Sequence, residues 1–498
     1  CHCCCGGVGD GLSHLQSGFP QIEKLRKGCT HHSSKRIAIA FTLLLCFMPF
    51  LPEFPKKLCA SVSLPTSKSI CARALVVQHL CLQPVAIVGL SDCDDTQAIK
   101  QGLETVKEEG ALPKVVDIGA AGTAMRFLTA LFAATPHLEV FLTGSERMQE
   151  RPISALVEAL RQLGADIVYA KNEGFPPLRI RGKQLAGGTV SLPADISSQY
   201  VSALLMIAPT TLQGVSLQLV GKVASAPYIK MTIEVMKSFG VEARWEGERI
   251  GVEAGQHYTR NGPYVVESDW SAASYWYEIV ALHHDAQAKI LLKGLRENSL
   301  QGDAVCAQWF ENLGVKTTFI EEGAILEKVF SESDATRMAA SNWSTNSCSQ
   351  KKANEPILSL DFTDAPDLAQ TFVVTSALLS RAFRFKGLES LRIKETDRIA
   401  ALITELKKMG KQLICEGEGE LYYTPTDDAP AQYSIVISTY DDHRMALAFA
   451  PAALRFPHLS IAHPEVVAKS YPTFWTNLSE LTQAAEEKLC SEKMPTFE

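Results

Sequence analysis

The chain has 498 residues, of which 46% are hydrophobic and 21% charged, and it carries a formal net charge of −7. This length and composition are typical of a folded protein of about two domains. The acidic balance excludes an overall basic surface of the kind that binds nucleic acid or an anionic membrane. Any anion binding must therefore come from local clusters of cations.

The first 57 residues differ from the rest of the chain. Six of the fourteen cysteines precede residue 50, and none lies between Cys93 and Cys306, which fits a reducing cytoplasm better than a disulfide framework. The apolar run 36–51 is shorter than the roughly 20 residues of a spanning helix. We therefore predict a cytoplasmic protein without a membrane span, in which residues 1–57 are disordered or non-native. A plastid-type transit segment is the alternative for these residues.

A repeated pattern organises the chain after residue 57. Short apolar runs that close on a glycine predict a strand and a turn at Gly89, Gly144, Gly221, Gly294 and Gly387. Helix ends with a capping glycine before a new strand recur at Gly164, Gly240, Gly314 and Gly410. The capping glycines lie 76, 74 and 96 residues apart, and the longest gap contains the polar insertion 331–352. The pattern predicts six strand–loop–helix–strand units, three in each of two α/β domains.

Apolar residues at helical spacing predict the buried faces of two of the helices. One stripe consists of Ile153, Leu156, Val157, Leu160 and Leu163. The other consists of Ile399, Leu402, Leu406 and Met409. Both are interpreted as core faces without a further role.

Polar motifs follow the predicted strands, where helices begin. The first half carries "LPTSKSICARAL" (64–75), "GAAGTAMRFL" (119–128), "GSERMQERPI" (144–153), "DISSQYVSALL" (195–205) and "VASAPYIKM" (223–231). A helix N-terminus with added hydroxyls and cations binds phosphate readily. Taken singly, however, each motif is also explained by helix capping, a solvated cation or a tight turn.

The second half carries a denser set of charges. Its motifs are "DAPDLAQTF" (364–372), "LRIKETDRIA" (391–400), "YDDHRMALAFA" (440–450) and "VVAKSYPTFW" (466–475). Lys394 and Arg398 are four residues apart, so they are predicted to project from one helical face. The alternative is that these cations merely pair with Asp397 and Asp442.

Cations from distant units are predicted to converge on one site of this acidic protein. They are Lys68, Arg73, Arg151, Lys394, Arg398, Arg444 and Lys469. Such convergence indicates one or two strongly anionic ligands. Among these cations, Asp367 and Glu395 are the natural candidates for a base and an acid.

Together and in this order, the motifs resemble those of the 3-phosphoshikimate 1-carboxyvinyltransferase (EPSP synthase) family over about residues 58–480. The resemblance rests on "SKS", "AGTAMR", "RPI", "SSQ", "KETDR", "DHRMA" and "AKS". It implies an inside-out α/β barrel of two domains, each with three βαβαββ-type units. One lobe would comprise residues 67–265, and the second, discontinuous lobe residues 58–66 plus 266–485, followed by a tail at 486–498.

The resemblance also implies the reaction. The enolpyruvyl group of phosphoenolpyruvate moves to the 5-hydroxyl of shikimate 3-phosphate, and phosphate leaves. No metal or organic cofactor is implied, and the expected partners are these two small molecules, without nucleic acid or membrane. A monomer is expected.

The resemblance further implies site residues, which are carried over motif by motif. The phosphoenolpyruvate set is Lys68, Gly122, Arg151, Gln199, Arg398, Arg444 and Lys469. The shikimate 3-phosphate set is Lys68, Ser69, Arg73, Ser197, Ser198, Gln199, Ser225, Tyr228, Asp367, Ser390 and Lys394. Asp367 is the implied base, Glu395 the implied proton donor and Lys68 a further catalytic residue. A proton donor at neutral pH requires a raised pKa for Glu395.

Several positions depart from the common family pattern, namely Thr66, Ala72, Ala120, Ala226 and Ser390. These changes bear on affinity, because the catalytic charges are all retained. Two alternatives stay open: a UDP-N-acetylglucosamine enolpyruvyl transferase, or a non-catalytic anion-binding relative. The first typically uses a cysteine of the first-half domain as its acid, and the second would be expected to lack Asp367 or Glu395.

Overall fold

The computed structural model describes residues 54–108, 112–193, 197–221, 223–329 and 356–483. The predicted insertion 331–352, the tail 486–498 and all but the last four residues of the extension 1–57 lie outside these ranges. Within them, no helix is long and apolar enough to cross a membrane.

Strands and helices alternate along the described chain. The strands are β1 (Cys59–Ser63), β2 (Ile87–Val88), β3 (Lys114–Asp117), β4 (Glu139–Thr143), β5 (Asp166–Tyr169), β6 (Leu178–Arg181), β7 (Gly188–Pro193), β8 (Val215–Val220), β9 (Arg244–Glu246), β10 (Arg249–Val252), β11 (Tyr264–Val265), β12 (Lys289–Lys293), β13 (Val315–Ile320), β14 (Gly323–Lys328), β15 (Leu358–Asp361), β16 (Phe383–Lys386), β17 (Leu413–Glu416), β18 (Glu420–Tyr423), β19 (Ile435–Ile437) and β20 (Leu459–Ile461).

The α-helices occupy most of the connections between these strands. They are α1 (Lys68–Leu80), α2 (Asp94–Thr105), α3 (Gly122–Ala133), α4 (Glu146–Gln149), α5 (Ser154–Gln162), α6 (Ser198–Ile207), α7 (Ala226–Ser238), α8 (Trp270–Leu282), α9 (Cys306–Glu311), α10 (Ala369–Leu378), α11 (Arg398–Lys408), α12 (His443–Phe449) and α13 (Phe474–Gln483). Short 3₁₀ helices include Gly302–Val305, Pro366–Leu368, Glu389–Ile393 and Pro464–Lys469.

Four of the sheets share one topology. Their strand orders are β3-β4-β6-β5, β7-β8-β10-β9, β1-β12-β14-β13 and β15-β16-β18-β17. In each, the first two strands are parallel and the last two form an antiparallel hairpin, as in β3 with β4 and β5 with β6. Two further sheets contain only the parallel pair, β2 with β11 and β19 with β20.

These sheets reproduce the repeat that the glycine pattern predicts. Parallel neighbours need a crossover connection, and α3, α6, α10 and α12 supply it in four of the six sheets. In the other two sheets, β1 with β12 and β2 with β11, the paired strands lie far apart in the chain. The mixed α/β fold class and the number of six units are confirmed.

The buried side chains form two hydrophobic clusters. The first core runs from Ile70 to Val266. The second core contains Leu58 and Val62 of the first strand and continues from Trp270 to Leu481. Because β1 pairs in parallel with β12, the described part of the chain begins in the second core, passes through the first and returns to the second. The exact domain boundaries stay a prediction.

Local signals in the sequence account for much of this architecture. The two predicted stripes are buried, with exposed fractions of 2% or less. The four predicted capping glycines all have positive φ, between 78° and 102°. At Gly410 a Cβ atom would lie 2.1 Å from the Ala429 carbonyl oxygen, so the left-handed turn and the close approach both require glycine.

Phe372 tests the second core. It is fully buried on α10, and its ring centroid lies 4.5 Å from that of Phe310 and 5.9 Å from that of Phe362. Phe372→Ala leaves a cavity, so we expect a loss of about 3–5 kcal/mol in the free energy of unfolding. Calorimetry should show this as a lower melting temperature, whereas Tyr433→Ala, at a ring that is 83% exposed, should change it little. Equal effects of the two substitutions would contradict this core assignment.

Candidate active site

Helices begin at the motifs that the sequence singles out. The first helical residue is Lys68 in α1, Gly122 in α3, Ser198 in α6, Arg398 in α11 and His443 in α12. Each of these ends directs free backbone N–H groups and the positive end of the helix dipole toward the preceding loop. The prediction that the motifs lie at helix starts is therefore confirmed for these five, whereas Lys469 is the last residue of the 3₁₀ helix Pro464–Lys469.

One prediction about these helices is wrong. Asp397 is the N-cap of α11, and its carboxylate accepts a hydrogen bond of 3.1 Å from the Ala400 N–H. The helix therefore begins only at Arg398. Lys394 follows the 3₁₀ helix Glu389–Ile393 in extended backbone, so it does not share a helical face with Arg398.

Glu395 lies among three cations from distant parts of the chain. Its Oε2 is 3.0 Å from Arg398 Nη2, and its Oε1 is 3.1 Å from Lys469 Nζ. Arg151 Nη1 approaches the same Oε1 at 4.0 Å. The side chain of Glu395 is only 15% exposed. Glu395 thus brings together Arg151, from the part of the chain that forms the first core, and Arg398 and Lys469, from the part that forms the second.

The expected raised pKa of Glu395 is not observed. Burial alone raises the pKa of this carboxyl, but the nearby charges of Lys469, Arg398 and Arg151 outweigh burial and hold the pKa well below its ordinary value. Without an anionic ligand, Glu395 is therefore a carboxylate and the counter-ion of the cations. The sequence gives the cations but not their distances from Glu395.

Asp367 has a similar environment. Its Oδ2 lies 2.9 Å from Arg444 Nη2 and accepts a hydrogen bond of 3.1 Å from the Tyr228 hydroxyl. Its Oδ1 is 3.4 Å from Arg398 Nη1 and 4.0 Å from Lys394 Nζ. Burial opposes the charge, yet Arg444, Lys394 and Arg398 lower the pKa of Asp367 far below its ordinary value. Asp367 is thus ionised in the absence of ligand.

Asp442 aligns two of the cations. Its carboxylate is fully buried and accepts hydrogen bonds of 2.7 and 3.3 Å from Nε and Nη2 of Arg398. Its Oδ1 also accepts a bond of 2.9 Å from the Arg444 N–H at the start of α12. Burial disfavours the charge of Arg398, but Asp442 and Glu395 outweigh it and raise the pKa of Arg398. The alternative pairing with Asp442 thus occurs, and it leaves Nη1 and Nη2 of Arg398 directed at Asp367 and Glu395.

Asp95 is a site residue that sequence reasoning missed. It is 6% exposed in the first turn of α2, and its Oδ2 lies 2.9 Å from Lys68 Nζ. Its Oδ1 lies 3.9 Å from Lys469 Nζ, which also donates a hydrogen bond of 2.7 Å to the Ala120 carbonyl. The one feature of the sequence that could have indicated Asp95 is its position as an acid soon after the predicted turn at Gly89. Acids at helix starts, however, are common simply because they stabilise the dipole.

Gly122 allows Arg151 to enter the site. A Cβ atom at Gly122 would lie 2.7 Å from Arg151 Nη1. The Nε of Arg151 is buried and has no hydrogen-bond partner in the part of the chain that the structure describes. Gln199, also assigned to the phosphoenolpyruvate set, donates through Nε2 to the Thr123 hydroxyl at 3.1 Å. Gly122, Thr123 and Arg151 therefore form one side of the site.

Arg73 differs from the other predicted cations, because its guanidinium bonds neutral groups of the first core. It donates to the Thr232 hydroxyl at 2.7 Å and to the carbonyls of Ser69 and Tyr228 at 2.8 and 3.1 Å. Burial lowers its pKa to about 10, which still leaves it charged at neutral pH. Arg73 therefore fixes the backbone that carries Ser69 and Tyr228.

The remaining predicted residues lie at the turns around the site. The Ser197 hydroxyl caps α6 by accepting from the Gln199 N–H at 3.2 Å, and Ser198 follows it, buried. Ser225 has left-handed backbone with φ 57°, and its N–H donates to the Thr363 carbonyl at 3.0 Å. Ser390 is half-buried in the 3₁₀ helix that leads to Lys394.

Comparisons with known proteins agree with this arrangement. The family model described as EPSP synthase (3-phosphoshikimate 1-carboxyvinyltransferase) matches residues 52–478. A 3-phosphoshikimate 1-carboxyvinyltransferase of Bacteroides fragilis (strain YCH46) is 47% identical over 86% of this chain and 97% of its own length. One from Sulfurovum sp. (strain NBC37-1) is 34% identical over 84% of this chain and 96% of its own.

Solved structures share the fold. An EPSP synthase structure from Acinetobacter baumannii superposes with a TM-score of 0.64 at 21% identity, and covers 88% of this chain and 97% of that one. The enolpyruvyl transferase NikO from Streptomyces tendae gives a TM-score of 0.60 at 13% identity, and covers 85% of this chain and 95% of that one.

The chain thus has the fold of solved EPSP synthase and enolpyruvyl transferase structures. Within that class, the chain belongs to the EPSP synthase (3-phosphoshikimate 1-carboxyvinyltransferase) family. The predicted family and enzyme activity are thereby confirmed. The inside-out barrel description and the roles of single residues stay predictions.

Asp95 should contribute to activity through the two lysines that it contacts. Asp95→Asn removes the counter-charge of half-buried Lys68, so we expect kcat/KM for phosphoenolpyruvate to fall by about 10-fold or more. Phosphate release with both substrates measures this. Asp94→Asn is the matched control, because it removes an exposed acid from the same helical turn. Equal rates in the two variants would count against a role for Asp95.

Proposed function

We propose that this site transfers the enolpyruvyl group of phosphoenolpyruvate to the 5-hydroxyl of shikimate 3-phosphate and releases phosphate. One observation carries the proposal. Two carboxylates, Asp367 and Glu395, are each surrounded by buried cations contributed by several units of the repeat. Such a site fits two anionic substrates together with groups that accept and donate protons.

Phosphoenolpyruvate is proposed to bind the three cations that surround Glu395 together with Lys68 and Arg444, which pair with Asp95 and Asp367. Its phosphate and carboxylate fit Lys68, Arg151, Arg398, Arg444 and Lys469, which now neutralise protein carboxylates. The unpartnered Nε of Arg151 supports this assignment, because a buried guanidinium group normally finds an acceptor. Gly122 leaves the space in which Arg151 turns toward the ligand.

Shikimate 3-phosphate is proposed to bind on the other side, along Tyr228 and Asp367. The hydroxyls of Ser69, Ser197, Ser198 and Ser225 fit its phosphate and ring hydroxyls, since all four serines stand at the starts of three helices. Lys394 and Ser390, from the part of the chain that forms the second core, are proposed to complete the shikimate 3-phosphate site. Arg73 is proposed to act through the backbone that it fixes.

The chemistry is an addition followed by an elimination. In the addition, Asp367 accepts the proton of the 5-hydroxyl, the 5-oxygen forms a bond to the phosphate-bearing carbon of phosphoenolpyruvate, and Glu395 gives a proton to the methylene carbon. In the elimination, the new methyl group returns a proton to Glu395, the bond between that carbon and the phosphate oxygen breaks, and phosphate leaves with the proton that Asp367 had accepted. Lys68 is proposed to stabilise the phosphoenolpyruvate charge during both steps. The reaction as proposed uses no metal and no organic cofactor.

Substrate binding is proposed to supply the raised pKa that Glu395 needs. The ligand-free pKa is low because Lys469, Arg398 and Arg151 pair with the carboxylate. Once phosphate and carboxylate groups of phosphoenolpyruvate bind these cations, the same burial that disfavours the charge dominates. Glu395 then takes up a proton and becomes a donor only when the substrate is present.

Glu395→Gln should separate binding from chemistry. The amide keeps the shape of the side chain but cannot donate the required proton, so we expect turnover to fall by about 10²-fold or more. Binding of phosphoenolpyruvate, measured by calorimetry, should persist.

In D₂O the unaltered enzyme should incorporate deuterium at the methylene carbon, and Glu395→Gln should not. Glu389→Gln serves as the control, because Glu389 is an exposed acid just before this loop. Normal deuterium incorporation by Glu395→Gln would assign the proton transfer to another group.

The same assay distinguishes the alternative functions. Phosphate release with shikimate 3-phosphate supports the proposal, whereas release only with UDP-N-acetylglucosamine would favour the sister transferase. A non-catalytic binder would release none with either acceptor. The relatives that are 47% and 34% identical carry the name 3-phosphoshikimate 1-carboxyvinyltransferase, which favours the first outcome.

We propose that residues 67–265 and residues 58–66 plus 266–485 are two lobes that move relative to each other. Contacts between the two core groups close the site, including Lys469 Nζ to the Ala120 carbonyl and Tyr228 to Asp367. Arg398 and Lys469 are only 1% and 6% exposed, so substrates could not reach them without an opening. The cytoplasmic location, the monomeric state and the absence of nucleic-acid or membrane partners stay predictions.

Small-angle scattering tests the proposed closure. The radius of gyration should be larger without ligands and should fall when both shikimate 3-phosphate and phosphoenolpyruvate are added, because the bound anions draw in cations from both lobes. Glu395→Gln, which cannot complete the reaction, allows the measurement on a stable complex. Identical scattering with and without the substrates would contradict the proposed movement.

A further inference from the structure

Asp303 is a buried carboxyl beside the site that the proposed mechanism does not use. It lies in the 3₁₀ helix Gly302–Val305 and is 3% exposed. Its Oδ2 accepts a short hydrogen bond from the Ser271 hydroxyl. Its Oδ1 is buried without a hydrogen-bond partner in the described part of the chain.

The Ser271 hydroxyl connects Asp303 to the site. A hydroxyl has one hydrogen, and Ser271 gives it to Asp303, so the oxygen lone pairs are left for another donor. That donor is Arg444, whose Nη2 lies 3.5 Å from Ser271 Oγ and 2.9 Å from Asp367 Oδ2. A continuous path therefore runs from Asp303 through Ser271 and Arg444 to the proposed base.

We propose that Asp303 is a positioning residue for enolpyruvyl transfer, which orients the Ser271 hydroxyl so that it fixes the Arg444 guanidinium beside Asp367. The inference rests on the proposed function of Arg444 and Asp367. Tyr275 supports the same guanidinium from the other side, because its hydroxyl lies 3.3 Å from Arg444 Nη1. Arg444 is thus oriented by two hydroxyls, of which only that of Ser271 depends on a carboxyl.

Stability alone does not explain a carboxyl at this place. Burying an acid is costly unless a cation pairs with it. Among the described residues, no lysine or arginine lies within salt-bridge distance of Asp303, and one of its oxygens is unpaired. An apolar or amide side chain would be cheaper to bury, so stability gives no reason for a carboxyl here.

The charge state of Asp303 depends on its surroundings. Burial and the charge of Asp367 raise the pKa of Asp303 to about 7, although Arg444 opposes this shift. The ionisable groups that face it from the packed elements are Asp367, Arg444, Asp269, Tyr228 and Cys306. When Asp303 ionises as the pH rises, it adds a second negative charge beside Arg444. That charge competes with phosphoenolpyruvate for the guanidinium.

Asp303→Asn provides the first test. The amide oxygen still accepts from Ser271, so we expect KM for phosphoenolpyruvate at pH 6 to stay within about 2-fold of the unaltered enzyme. Between pH 7 and 9 the unaltered enzyme should show a rise in KM that Asp303→Asn lacks. Titration of the substrate itself affects both proteins equally and cancels in the comparison. Superimposable pH profiles of KM would overturn the proposal.

The Ser271 variants provide the second test. Ser271→Ala breaks the connection, and we expect KM for phosphoenolpyruvate to rise about 5- to 20-fold with a smaller change in kcat. Ser271→Thr keeps the hydroxyl and should restore most of the affinity. Ser376→Ala, which removes another buried hydroxyl of the same core, is the matched control and should leave KM unchanged. An unchanged KM in Ser271→Ala, or equal losses in the alanine and threonine variants, would overturn the proposal.

Failure of the positioning role and failure of the proposed function give different results. The unaltered protein tests the function by phosphate release with both substrates. The affinity of each variant for phosphoenolpyruvate, measured by calorimetry, tests the positioning role even where turnover is absent. Turnover by the unaltered protein together with unchanged variant affinities would reject the role of Asp303 alone.

Discussion

The structure of the site depends on the mutual neutralisation of buried charges. Five cations and four carboxylates share a small, poorly exposed volume: Lys68, Arg151, Arg398, Arg444 and Lys469 with Asp95, Asp367, Glu395 and Asp442. Removing such charges from water costs more than their attraction commonly returns, and apolar side chains of similar volume would often be as stable. Retaining the charges therefore makes sense only if the cations have anionic ligands to bind, which is the chemistry proposed for them.

Because the cations proposed to bind the substrates also pair with protein carboxylates, the proposed mechanism links ligand binding to protonation. In the absence of ligand, Lys469 and Arg398 hold the pKa of Glu395 low, and Arg444 does the same for Asp367. A lowered pKa stabilises the folded state fully at pH values above the ordinary carboxyl pKa. This stabilisation is lost as the pH falls from that value through the lower pKa of the folded state. In the proposed mechanism, a bound anion pairs with these cations and reverses the shift of the pKa of Glu395, so Glu395 becomes a proton donor only in the complete complex.

The sequence predicted features that are set locally. Strand ends, capping glycines and the stripe from Ile399 to Met409 follow from turn chemistry and periodicity, and the structure reproduces them. Prediction from the sequence failed for features that depend on distances between residues far apart in the chain. Lys394 was misplaced because Asp397 caps the helix one residue before Arg398. Asp95 looked like any acid at a helix start, since nothing local shows that two lysines meet it. The pKa of Glu395 likewise depends on contacts that the sequence cannot reveal.

The repeat explains how charges so far apart in the chain can meet. Each unit places a helix start after a strand, so units arranged around one site direct several helix N-termini at it. A cation of one unit is then held by a group of another, as Lys469 is by the Ala120 carbonyl and Arg398 is by Asp442. Side chains in one such network are energetically coupled, so their substitutions are not additive. The site consequently behaves as one electrostatic unit, and its affinity is a property of the whole arrangement rather than of any single motif.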